Sequence, residues 1–102
     1  MAGPNQRIQH SVMELYRAFG CTVLRFNEGR RTQISNGWPD LYVFCPRREV
    51  TWAHEVKAPK EPQSEGQQAM QELFKSCGLA YVIGGPNEAR EHLDLLRLTA
   101  DL

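Results

Sequence analysis

The chain has 102 residues, 12 Lys+Arg balanced by 12 Asp+Glu, and 41% apolar residues. That length supports one core, so a single domain is expected over residues 1–102, and the apolar fraction excludes a disordered chain. No apolar run approaches the roughly 20 residues of a membrane span, and collagen, coiled-coil and disulfide-framework patterns are absent.

Ile8, Val12, Leu15, Tyr16 and Phe19 recur at helical spacing, so a first amphipathic helix is predicted over about residues 5–19, stopped by Gly20. Cys21 to Phe26 is short, β-branched and apolar, as a strand would be. Asn27 to Pro39 is rich in Gly, Asn, Arg and Ser and reads as a loop. Leu41 to Cys45 is a continuous apolar run between two prolines, the pattern of a strand buried on both faces. Val50 to Lys57 alternates, with Val50, Trp52, His54 and Val56 on one face and Thr51, Ala53, Glu55 and Lys57 on the other. Ser64-Glu65-Gly66-Gln67 is a capping-box pattern ahead of Met70, Leu73, Phe74 and Cys77, predicting a second helix that runs to Gly78. Leu79 to Ile83 is a fourth strand, and a final helix carries Leu93 and Leu96 on one face. The predicted order is α-β-β-β-α-β-α. Strands joined without helices can pair antiparallel, and the helical crossover before the fourth favours a parallel pairing. A mixed four-stranded α/β sheet flanked by helices is therefore expected.

The first residues carry neither the basic stretch nor the apolar core of an export signal, and a cytoplasmic location is expected. Cys21, Cys45 and Cys77 are odd in number and far apart, and they read as buried thiols in a reducing compartment. Zero net charge hides an uneven distribution: +1 over residues 1–24, +3 over 25–60 and −4 over 61–102. Such a field can turn a basic face to phosphates, and ordinary scatter of surface charge explains it equally well.

The chemistry lies in Pro39-Asp40 at the start of the second strand and Glu55-Val56-Lys57 at the end of the third. In a hairpin pair the start of one strand lies beside the end of the other, so Asp40 and Glu55 meet at one edge. Lys57 then projects from the same face, roughly 6–7 Å further along. Facing carboxylates repel unless a cation sits between them, and a hard divalent ion suits them, with the Val56 carbonyl as a third ligand. A lysine beside that ion can orient an attacking water and offset charge on a phosphorane-like transition state. The pattern reads as metal-assisted hydrolysis of a phosphodiester; the plain alternative is a surface ion pair at a fraying strand end.

Gly37-Trp38-Pro39-Asp40-Leu41 followed by Glu55-Val56-Lys57 resembles the G-x-P-D-L … E-x-K signature of PD-(D/E)XK nucleases. More narrowly it resembles the VRR-NUC (virus-type replication-repair nuclease) family. Arg25-Phe26-Asn27-Glu28-Gly29 is similar to that family's R-x-N-x-G segment, and Ser64-Glu65-Gly66-Gln67 to its S-P-E-Q segment. The resemblance spans about residues 5–90. It implies a restriction-endonuclease-like α-β-β-β-α-β core, with Asp40 and Glu55 as Mg²⁺ or Mn²⁺ ligands, Lys57 as catalytic lysine and Gln67 as an active-site polar residue. Small proteins of this kind occur in phages and mobile elements, where the location would be the host cytoplasm. The family commonly has a first-helix glutamate in an E-x-x-I-Q pattern; here Asn5 stands at that place, Gln9 matches, and Glu14 is the helix's one acid.

Gln67 also fits the N3 place of the capping box, where it would serve the helix alone. His54 reads as a packed core histidine, and His10 and His92 as helix-surface residues. Arg25, Arg30, Arg31 and Lys60 are the candidate phosphate contacts, with a solvated loop the equal alternative for Arg30 and Arg31. Trp38 suits either stacking or burial under its loop, and Arg47-Arg48 belongs to the turn opposite the metal end. The expected function is a metal-dependent endonuclease acting on branched DNA such as a Holliday junction, working as a homodimer. The rival reading is a weakly active or inactive nuclease-fold module that binds DNA or protein in a replication or repair assembly. A small ligand-binding domain without phosphate chemistry is a third.

Overall fold

The computed structural model describes residues 4–26 and 37–99. Its elements run α1 (Pro4–Ala18), β1 (Thr22–Arg25), β2 (Leu41–Cys45), β3 (Val50–Val56), α2 (Glu65–Ser76), β4 (Ala80–Gly84) and α3 (Pro86–Leu95). The strands form one sheet in the order β1-β2-β3-β4, antiparallel across the first two pairings and parallel across β3-β4. This is the expected mixed sheet, and β3 lies inside it with a bonded neighbour on each side. Among the described residues no helix is long and apolar enough to cross a membrane.

The core fills one face of the sheet. Val12, Met13 and Tyr16 of α1 and Ala89 and Leu93 of α3 meet Val23, Leu41, Val43, Trp52, Val56 and Val82. These strand residues are the alternate positions that a period of two turns toward the helices. His54 belongs to the same face and is fully buried, as expected. Its Nδ1 lies 2.6 Å from the Tyr16 hydroxyl and its Nε2 2.9 Å from the Gly84 carbonyl oxygen. That carbonyl can only accept, so Nε2 carries the hydrogen and Nδ1 accepts from Tyr16.

The other face is more open than the apolar run of β2 predicts. Leu41, Val43 and Cys45 are buried, but Tyr42 is half-buried and Phe44 is 39% exposed. The reason is that α2, the helix on this side, lies over β4, with Phe74 edge-on to Tyr81 at 5.4 Å. Helix α2 buries none of its residues, so Leu73 is 56% exposed and Cys77 is exposed; the buried-thiol expectation holds only for Cys21 and Cys45. His92 also departs from its surface assignment. It is half-buried with its ring 4.6 Å from that of Trp52, because α3 turns this side toward the sheet. His10 is a surface residue, 3.0 Å from Glu14.

Capping fixes the ends of α2. Ser64 accepts from the Gln67 backbone N–H at 3.1 Å, and the Gln67 side chain accepts from the Ser64 N–H at 2.9 Å. Gly78, at φ +75°, ends the helix through bonds from its own N–H to Lys75 and from the Leu79 N–H to Phe74.

Candidate active site

Leu41 pairs with His54, so the strand register sets Asp40 beside Glu55 at the edge where β2 begins and β3 ends. The Phe26 N–H donates to the Asp40 carbonyl at 2.9 Å, which extends the ladder from β1 to this position. The Asp40 carboxylate accepts the Val56 N–H at 2.7 Å, turning the side chain across the strand end. Burial pushes the Asp40 carboxyl above its ordinary value; the Val56 bond opposes the rise, and the negative charge of Glu55 adds to it.

Gly37 shapes the approach to Asp40. It sits at φ +87°, and a Cβ there would lie 2.5 Å from the backbone carbon of Gly66 and 3.0 Å from the Gln67 nitrogen. Only glycine admits both that conformation and that contact. The Gly37-Trp38-Pro39 segment therefore lies against the start of α2, and Trp38, half-buried, stacks on Phe26 at 5.3 Å.

Ala53 pairs with both Tyr42 and Tyr81, and Glu55, two residues on, shares their face of the sheet. Glu55 is fully buried. Its Oε1 accepts from the Tyr81 hydroxyl at 2.8 Å and from Gln63 Nε2 at 3.3 Å. Burial, reinforced by the bond to Glu55, pushes the Tyr81 phenol well above its usual range. Oε2 of Glu55 is buried with no hydrogen-bond partner among the described residues, and Lys57 Nζ lies 3.9 Å from it. Lys57, 9% exposed, holds its backbone N–H on the Gly84 carbonyl and its Nζ 3.5 Å from Glu61 Oε2. Glu61 in turn accepts from the Ala58 N–H at 2.9 Å and from Asn5 Nδ2 at 3.1 Å, and these bonds hold its carboxyl below the usual carboxylate range.

The donor set can be weighed against a divalent ion. Among the described residues no three His, Cys, Asp or Glu side chains gather as a metal cluster. Mg²⁺ does not need one: it is commonly held by one or two carboxylates, keeping other positions for water and phosphate oxygens. Two adjacent carboxylates, one with a buried oxygen that has no donor among the described residues and the other with a raised carboxyl, fit such an ion.

The expected residues thus divide. Asp40, Glu55, Val56 and Lys57 come together. Gln67 has both its backbone N–H and its side-chain oxygen in the capping box, and Gln63 is the glutamine that reaches Glu55. Lys60 is exposed and joins Lys57, Ile8, Ile83 and Pro86 around a cleft of about 650 Å³ beside the site. Arg25 is exposed at the end of β1, and Arg30 and Arg31 lie outside the described residues. Arg48 donates to the Leu96 and Arg97 carbonyls at 3.0 and 3.1 Å, at the end of the sheet away from Asp40, as the turn assignment requires. Sequence reasoning missed Tyr81, Gln63 and Glu61, and marked Asn5 only as the place of an absent glutamate; the Tyr81–Glu55 and Asn5–Glu61 contacts arise only through the tertiary fold.

No protein-family model matches the sequence, and no curated protein matches it. Among solved structures, one titled "VRR_NUC domain" matches with a TM-score of 0.74 at 27% identity, covering 91% of this chain and 97% of that one.

Proposed function

We propose that this chain, which is a VRR-NUC domain, is a nuclease that hydrolyses DNA phosphodiesters with Mg²⁺ or Mn²⁺ held by Asp40 and Glu55. The observation that carries this reading is the buried Oε2 of Glu55, which has no donor among the described residues, beside a second carboxylate and with a lysine amine 3.9 Å away. A buried carboxylate oxygen without a donor is costly, and a cation is the partner that removes the cost. When bound, the ion would supply Lewis acidity toward a phosphate oxygen.

The chain's own residues do the rest. Asp40, turned by its bond to Val56, and Glu55, held by Tyr81, would hold the ion and so set where the phosphate docks. Lys57 keeps its ammonium at the rim, where it orients the attacking water and offsets negative charge growing on the phosphate oxygens. Water attacks phosphorus and gives up a proton to the solvent, the bond to the leaving sugar oxygen breaks, and that oxygen takes a proton back from the solvent.

Branched DNA and a homodimer complete the proposal. A domain of 102 residues offers little surface with which to grip a duplex, and paired sites suit a two-fold symmetric junction. The rival reading, a binding module without turnover, draws on Asn5, which leaves the start of α1 without a carboxylate.

Labelled junction, flap, single-stranded and duplex DNA, incubated with Mg²⁺, Mn²⁺ or EDTA, test the proposal. Cleavage that requires the ion and favours the junction is expected, and Lys57→Ala should lower kcat by about 10²–10³-fold while Mn²⁺ still binds. Equal cleavage by Lys57→Ala would count against the assignment. Metal and DNA binding without cleavage by the wild type would favour the binding module.

A further inference from the structure

We infer that Glu61, held by Asn5, is a positioning residue that gives the Lys57 amine a second carboxylate anchor besides Glu55. In its effect on turnover this rests on the nuclease reading above; as a statement about Lys57 it stands alone.

Lys57 Nζ lies near two carboxylates, 3.5 Å from Glu61 Oε2 and 3.9 Å from Glu55 Oε2. Glu61 is not a loose surface acid. Its Oε1 accepts from the Ala58 N–H at 2.9 Å and from Asn5 Nδ2 at 3.1 Å, and Asn5 Nδ2 also lies 3.4 Å from Oε2. Asn5 belongs to the first turns of α1, 56 positions earlier in the chain, so the loop after β3 is tied to a helix packed on the far face of the sheet. The residue type at position 5 matters: an amide donates to a carboxylate, whereas a carboxylate there would oppose Glu61.

The second anchor matters when a cation arrives. A divalent ion held at Glu55 would repel the nearby ammonium and occupy the oxygen that Lys57 faces. With Glu55 as its one anchor, Lys57 would withdraw into the adjoining cleft. Glu61 supplies a second counter-charge, tied down by Ala58 and Asn5, and keeps the amine at the rim. Charge counting supports the arrangement: Asp40, Glu55 and Glu61 face one ammonium, and one dication brings the set to neutrality.

The test reads Lys57 directly. Metal-free wild type, Glu61→Gln and Asn5→Ala are reductively methylated, and labelling at each lysine is followed by mass spectrometry, with Lys60 and Lys75 as internal references. Mn²⁺ affinity by calorimetry, kcat on junction DNA and urea unfolding are measured on the same samples. Labelling of Lys57 should rise roughly tenfold in Glu61→Gln and less in Asn5→Ala, with reference lysines and unfolding midpoints unchanged. In Glu61→Gln kcat should fall roughly tenfold with Mn²⁺ affinity held, since a small misplacement of a reacting group lowers rate. Unchanged Lys57 labelling overturns the second anchor, and so does a loss of Mn²⁺ affinity as large as that of Glu55→Gln, which would make Glu61 a ligand. A wild type that cuts no DNA would sink the nuclease reading instead, leaving the labelling to decide the second anchor.

Discussion

Tyr81 donates its hydroxyl hydrogen to one oxygen of Glu55, and so determines which oxygen is left to face the rim. Outer partners of a metal-binding carboxylate commonly tune affinity by 10–100-fold, because they fix the rotamer in which it presents its free oxygen. Tyr81→Phe keeps the ring against Phe74 and removes only the donor, leaving Gln63 at 3.3 Å as the restraint on Oε1. Mn²⁺ affinity should fall by about tenfold, measured by calorimetry, with Asp40 and Lys57 still in place. An unaltered affinity would show that Tyr81 only packs. Asp40, Glu55 and Lys57 were legible in the sequence because their types and spacings at strand ends already constrain where they meet. Tyr81 was not, since β4 joins β3 only after the α2 crossover and nothing in its own strand marks the phenol as a donor. Gln63 and Glu61 lie in the loop between β3 and α2, where no periodicity assigns a direction to a side chain.

Helix α2 shows how much of an element propensity and caps can hold without burial. None of its residues is buried, yet it spans 12 residues and its first turn abuts Gly37 ahead of Asp40. A helix this short is marginal by itself, so its end groups matter more than in a buried helix. Ser64→Ala removes the oxygen that accepts the Gln67 N–H and should cost about 1 kcal/mol, read as a lowered urea midpoint with unchanged slope. Activity should fall along with it if the Gly37 contact transmits the loosening to Asp40. A midpoint equal to wild type would mean that the Gly37 contact holds the helix start without the cap. The sequence announced this helix through its capping box and apolar spacing, but not its exposure. Met70, Leu73, Phe74 and Cys77 form a plausible inner face, and only the placement of α2 over β4 decides how little of it is covered. The same placement explains why β2, written as an apolar run, is closed on one side only.

At the scale of the whole molecule, the sheet separates a sealed face from a more open one, and His54 and Glu55, adjacent in β3, point into them in turn. Burial pulls the His54 imidazole down to about 4, whereas an unfolded imidazole titrates near 6.5. Between those values the unfolded chain takes up a proton that the folded chain refuses, so stability rises with pH across the window and is lost as pH falls. From pH 6.5 to 5 the loss from this one group is about 2 kcal/mol. Asp40 acts in the opposite sense. Its raised carboxyl keeps a proton that the unfolded chain has released, so its contribution favours the fold below the ordinary aspartate range and is lost as pH rises through the raised value. Because Asp40 is partly exposed and His54 fully buried, the histidine should dominate between pH 5 and 6.5. Urea unfolding of the metal-free protein at pH 5 and 6.5 should show the lower stability at pH 5, and His54→Gln should flatten the difference. Adding Mn²⁺ at pH 6.5 should raise the midpoint further, through a gain of about 2.7 kcal/mol in stability at a hundredfold excess over Kd, and less at pH 5, where protons compete for Asp40. A pH dependence that His54→Gln leaves unaltered would mean that His54 is charged in the fold, and a proton on Nδ1 would have to break its bond from the Tyr16 hydroxyl.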